Sequence, residues 1–132
     1  MKRADVLSLL LAAPVVMAGQ AASSARPDFA TVTSVAAAKQ LAATGALVKV
    51  LLFPAELGGK PDAENLVYIT PQAAADRALV IQTLTQMVHD GVVNQMTVEP
   101  DYRGGSFIPA RIRMKAWRDG KKGSFERTIE VW

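Results

Sequence analysis

Between Ser106 and Arg118 the chain alternates strictly, with Ile108, Ala110, Ile112, Met114 and Ala116 on one parity and Arg111, Arg113 and Lys115 on the other. Successive side chains of a strand point to opposite faces, so this pattern demands a sheet with one buried and one solvated side. The C-terminal "SFERTIEVW" follows the same rule, with Phe125, Ile129 and Val131 on the core side and Glu126, Thr128 and Glu130 outside. Asp119-Gly120-Lys121-Lys122 reads as the turn between the two strands. A four-residue loop sets Lys115 opposite Glu126, Arg111 opposite Glu130, Ala116 opposite Phe125 and Ile112 opposite Ile129, so both faces agree. A two-residue loop keeps the faces but loses those charge pairs.

A different period precedes this hairpin. Thr70 can cap a helix and Pro71 suits its first position. From there to Asp90, Ala74, Ala78, Ile81, Leu84 and Val88 recur every three or four residues, flanked by Val80 and Met87, which predicts one amphipathic helix of about twenty residues ended by Gly91. Ser34 to Gly45 predicts a shorter helix, and Ala46 to Phe53 a buried strand stopped by Pro54. Residues 54–64 read as a loop around Gly58-Gly59, Asn65 to Ile69 as a short strand, and Val92 to Val98 as a strand closed by Pro100. The fold class is therefore α+β: an antiparallel sheet of three to five strands packed on one long amphipathic helix, with a short N-terminal helix.

The 132 residues leave room for one domain. Half are hydrophobic, but part of that excess lies at the N-terminus. Lys2 and Arg3 precede an apolar run, Val6 to Ala18, that is too short to span a bilayer and is followed by small residues. Residues 1–21 are thus expected to be a secretory signal cleaved near 18–21, residues 22–33 a linker, and residues 34–132 the domain. The mature chain would have no membrane span and would be exported, to a periplasm or the extracellular space. The alternative for residues 1–21 is a buried N-terminal helix. Removing them takes Lys2, Arg3 and Asp5, lowering the formal net charge from +3 to +2. With no cysteine, a disulfide framework, a Cys-based zinc site and a thiol nucleophile are excluded.

Arg111, Arg113 and Lys115, with Arg103, Arg118, Lys121 and Lys122 nearby, form a basic stripe that could track a phosphate backbone; the register offers Glu126 and Glu130 as partners, which favours a solvated, paired face. Trp117 and Trp132 lie near this face by parity and could stack on a base or pack at an edge. Asp62 and Glu64 offer two oxygen ligands in a loop but no third. His89, the one histidine, sits where a cation meets the end of a helix dipole. No nucleophile elbow or phosphate-cradling glycine motif is present.

The order of these features resembles the C-terminal half of the DNA/RNA non-specific endonuclease family, whose site is of the ββα-metal type, especially the compact versions at the ends of bacterial toxins. The likeness covers Leu57 to Lys122 and rests on "GG…AENLV", the proline-started helix and "PDYRGGSFIP". Pro100, Tyr102, Gly104, Ser106 and Pro109 match the family's connection into the hairpin, and Asn65 matches a supporting asparagine. The family's general base is a histidine in the strand before the Gly-Gly turn, where this chain reads "VKVLLFPAE". Its magnesium-ligand asparagine falls where this chain reads "PQAAADRAL". The resemblance therefore implies a nuclease scaffold without the groups that perform the chemistry.

The expected function is that of an exported, non-catalytic binding module on a degenerate nuclease-like scaffold, with no cofactor and no catalytic or metal residues. A protein partner is expected first, and nucleic acid through the basic sheet face second. Asp62, Glu64, Asn65, Arg103, Arg111, Arg113, Lys115 and Trp117 are the candidate binding residues. The alternatives are a secreted metal-dependent DNA/RNA endonuclease or other hydrolase, and a toxin-associated or immunity-type partner.

Overall fold

The computed structural model describes residues 27–132, so the expected signal, residues 1–21, lies outside it, as do residues 22–26 of the expected linker. The described residues form a mixed α+β fold with two helices, α1 (Val35–Ala43) and α2 (Pro71–His89). Five strands follow chain order as β1 (Val48–Leu51), β2 (Leu66–Ile69), β3 (Gln95–Tyr102), β4 (Pro109–Trp117) and β5 (Phe125–Glu130). They divide into two antiparallel sheets, β1–β2 and β3–β4–β5, rather than the single sheet expected.

Local chemistry sets the helix ends. The Ser34 hydroxyl accepts the Ala37 N–H at 3.1 Å to open α1, and Gly45 follows its end at φ +87°. Thr70 repeats the cap for α2, accepting the Ala73 N–H at 3.1 Å, with Pro71 in the first turn. Ala73, Ile81 and Leu84 carry the buried face of α2, while Ala78 and Val88 of the expected stripe are exposed. Arg77 takes the place between Ala73 and Ile81, four residues from each, and is half-buried. The helix lies against β5, β1 and the 55–57 turn. Leu47, Ile69, Leu84, Ile108, Ile112 and Met114 are fully buried; each such large apolar side chain contributes about 1.5–3 kcal/mol.

Two further expectations are corrected. The Ala46–Phe53 run is not buried throughout: Val48 and Lys49 are exposed, because β1 has one neighbour and only part of it is covered. Pro100 does not close the strand that begins near Val92; β3 runs through it to Tyr102, with a register shift at Asp101/Tyr102. Opposite Pro100 stands Ile112, whose hydrogen-bonding groups turn to Ile129 in β5, so the proline nitrogen faces the free edge and no ladder bond is lost.

The packed chain also begins before Ser34. Phe29 and Val32, in the segment expected to be linker, are buried. The Ser106 hydroxyl donates to the Phe29 carbonyl at 2.6 Å, and the Phe107 N–H to the Val32 carbonyl at 2.6 Å. Trp132 lies 6.3 Å from Phe29, ring to ring, and donates its indole N–H to the Ile108 carbonyl at 3.0 Å. Both ends of the described chain therefore clamp the 103–108 connection, and Trp132 packs at an edge instead of joining the outer face.

Candidate binding face

The hairpin register places Arg111 opposite Glu130, Lys115 opposite Glu126, Ile112 opposite Ile129 and Ala116 opposite Phe125, as the two-faced pattern requires. On the solvent side, β3 adds Thr97 opposite Lys115, Glu99 opposite Arg113 and Asp101 opposite Arg111. The central strand of this face is thus basic and both flanking strands are acidic: Arg111, Arg113 and Lys115 confront Glu99, Asp101, Glu126 and Glu130.

Among the described residues, the ion pairs form on the β3 side and not with Glu126 and Glu130. Arg113 donates from Nε and Nη2 to the two Asp101 oxygens, 3.0 Å each, and also reaches Glu99 at 3.1 Å; Arg111 lies 3.8 Å from Asp101. The hydrogen bonds from Arg113 hold the Asp101 carboxyl below its ordinary range, opposed by desolvation and helped by the charges of Arg113 and Arg111, and Asp101 in turn raises Arg113. Such solvent-accessible pairs orient side chains more than they stabilise.

Thr97, Glu99, Arg113, Lys115, Trp117, Glu126 and Thr128, with Gly123 and Ser124 of the hairpin loop, line a groove of about 730 Å³ on this face. The Lys115 ammonium lies 6.0 Å from the centre of the Trp117 ring, at the outer reach of a cation–π contact. Trp117 is half-buried, with part of its ring available at the groove.

Other expected site residues lie apart from this groove. Arg103 stands over the Trp132 ring at 5.0 Å, beside the Phe29 clamp. Asp62 and Glu64 are exposed beside or within a 3₁₀ turn, Ala63–Asn65. Asn65 is committed to structure: its Oδ1 accepts the Phe53 N–H at 2.7 Å, and its Nδ2 donates to the carbonyls of Phe53 at 3.1 Å and Lys60 at 2.8 Å. His89 is exposed, 3.3 Å from the Asp90 carboxylate. Among the described residues, no three His, Asp or Glu side chains assemble to hold a metal ion, and no helix is long and apolar enough to cross a membrane.

The sequence reading missed Glu99 and Asp101 as partners of the arginines. Their parity with Thr97 was available, but only for a strand continued through Pro100. It also missed Arg77, whose Nη2 donates to the Leu51 carbonyl while its buried Nε has no partner. Burial lowers the Arg77 pKa, Glu56 opposes that shift, and the group stays charged. A smaller apolar pocket of about 300 Å³, lined by Phe53, Leu57, Leu84, Val88, Val93 and Met96, lies where the 53–57 segment meets α2.

Comparison with family models, curated proteins and solved structures finds no match to this chain.

Proposed function

We propose that this chain is an exported, non-catalytic module that binds a protein partner through the outer face of β3–β4–β5, on a scaffold degenerated from a nuclease-like ancestor. The observation that carries the reading is the groove beside Trp117, where an aromatic ring, Lys115 and Arg113 share a concave surface with Thr97 and Thr128. Aromatic and arginine side chains in a depression are what protein interfaces use as anchors.

The charge pattern favours a protein over nucleic acid. A backbone-tracking surface needs cations free to replace counterions along the phosphates. Here the three cations of β4 lie between two acidic strands, and Arg113 is already shared between Asp101 and Glu99. A protein surface with charges of both signs fits this alternation better. Support for the scaffold reading comes from element order: the Gly58-Gly59 turn, Asn65, the Thr70-Pro71 helix start and the 100–109 connection follow as in the resemblance. The strand that would carry the general base reads Val-Lys-Val-Leu, and Asn65 is occupied in closing a loop. Export rests on the composition of residues 1–21.

The test uses the full chain and two variants, Trp117→Ala and Lys115→Glu, as bait for partners. A protein enriched by the native chain and lost with both variants is expected. Mg²⁺-dependent nicking of plasmid at micromolar protein would overturn the non-catalytic reading. A low-salt gel shift of DNA or RNA that disappears with Lys115→Glu would replace the protein partner with nucleic acid.

A further inference from the structure

The two edges of the three-stranded sheet differ. On β3, Pro100 and the register shift at Asp101/Tyr102 interrupt the outward row of N–H groups, as natural edges are commonly blunted. Six residues long, β5 contains no proline, glycine or lysine, and its register with β4 is unbroken. The Val131 N–H donates to the Ala110 carbonyl at 2.8 Å in this register. By the alternation of an antiparallel ladder, Phe125, Arg127 and Ile129 therefore turn their backbone groups to β4, and Glu126, Thr128 and Glu130 turn theirs outward. Among the described residues, no backbone group bonds to that outward row; only the Arg127 guanidinium reaches it, at the Glu126 carbonyl, 2.9 Å away.

We propose that β5 is a strand-acceptor edge, which takes an extended segment of a protein partner carrying basic side chains at alternate positions. Across the solvent face the strands run acidic, basic, acidic. A next strand placed beside Glu126, Thr128 and Glu130 continues the alternation if it sets Lys or Arg opposite the two glutamates, each such cross-strand pair being favourable. On the other face it meets half-buried Phe125 with the Arg127 guanidinium over its ring, beside Ile129, which is already buried, so apolar residues suit it next to Phe125. The recognised segment is thus alternately basic and apolar, with its main chain supplying the hydrogen bonds. A second copy of this chain is a poor occupant. The two-fold β5–β5 register centred on Thr128 opposes Glu126 of one copy to Glu130 of the other, twice; the register centred on Arg127 opposes that arginine to itself. These are the two registers of longest overlap.

The proposal rests on the protein-binding reading above; the groove and the edge share Glu126 and Thr128, but the edge engages their outward backbone groups and the groove Trp117 and Lys115, so one experiment that reads both separates them. The probe is the peptide acetyl-Thr-Lys-Val-Lys-Val-Lys-Thr-amide, with the same peptide carrying Glu for Lys as its control. Each is titrated into the ¹⁵N-labelled full chain. With the Lys peptide, the amides of Glu126, Thr128 and Glu130 are expected to shift and to exchange more slowly with solvent, while those of β3 stay unchanged. The double variant Glu126→Lys, Glu130→Lys should reverse the preference between the peptides by about tenfold or more. Thr128→Pro should abolish binding with the fold retained, because that N–H points outward as the Pro100 nitrogen does; circular dichroism checks the fold. Equal binding of the two peptides, or edge amides already protected in the protein alone, would overturn the proposal. Shifts at Trp117 and Lys115 without the edge amides would sink the strand-acceptor edge and leave the groove reading standing. Shifts at neither would count against both.

Discussion

The side-chain amide of Asn65 pairs with both backbone groups of Phe53, accepting its N–H at 2.7 Å and donating to its carbonyl at 3.1 Å. With the further bond to the Lys60 carbonyl, one side chain supplies the bonds that a paired strand would otherwise supply to this loop. Asn65→Ala leaves three backbone groups to find water in a partly buried place, at an expected cost of about 1–3 kcal/mol. Asn65→Asp keeps the acceptor but sets a carboxylate against two carbonyls, and should destabilise at least as much. Urea unfolding midpoints check both, and a neutral Asn65→Ala would show that the clamp is idle.

Gly59 is held inside that loop. A Cβ there would stand 1.8 Å from the Phe53 carbonyl oxygen and 2.9 Å from that of Pro54, so backbone must move. At Gly58 the surroundings are open, and the objection to a side chain is φ of +103° alone. Gly59→Ala should therefore lower stability by about 2 kcal/mol or more, and Gly58→Ala by about 1 kcal/mol. Equal losses in thermal unfolding would contradict the close approach.

Arg77 joins α2 to the end of β1 through the Leu51 carbonyl while its Nε stays buried without a partner. Arg77→Ala removes that donor and the aliphatic stem together, and is expected to cost about 2–4 kcal/mol. Arg77→Met restores apolar volume and relieves the orphaned Nε, so it should recover about half of the loss. If methionine is no better than alanine, the guanidinium contributes more through its bond to Leu51 than through packing.

Side-chain parity made the hairpin legible down to its register, because two faces of opposite chemistry leave one pairing that satisfies both. The caps at Ser34 and Thr70 were equally legible, being local chemistry. Three features lay beyond that reach. The division into two sheets depends on which strands close against the core, which no local pattern states. A strand through Pro100 depends on its being at an edge. The true partners of Arg111 and Arg113 depend in turn on that strand, so one missed continuation hid the acidic, basic, acidic order of the outer face. Asn65 stood in the sequence as a candidate binding residue, and its three bonds to residues 5 and 12 positions away need the folded loop.

That charge pattern can be unmasked. Glu99→Gln with Asp101→Asn leaves Arg111 and Arg113 without their β3 partners. The double variant is expected to bind duplex DNA in a gel shift at low salt, weakening steeply as salt rises, where the native chain does not. Native binding as strong as that of the variant would mean that the carboxylates do not shield the face.

The same pair sets a response to acid. Arg113 holds the Asp101 carboxyl below its ordinary range, so whatever the pair contributes to stability is present above the unfolded value, about 3.9, and is lost as pH falls through the lower folded value. The effect on stability should be small and fade with salt, because both groups reach solvent. A ¹³C titration of the Asp101 carboxyl should show a midpoint below that of an ordinary aspartate, returning towards it in Arg113→Gln. Arg113→Lys should restore only part of the difference, since an ammonium cannot reproduce the two-oxygen fork of the guanidinium. An unchanged midpoint in Arg113→Gln would assign the shift to Arg111 instead, whose 3.8 Å separation makes it the weaker partner.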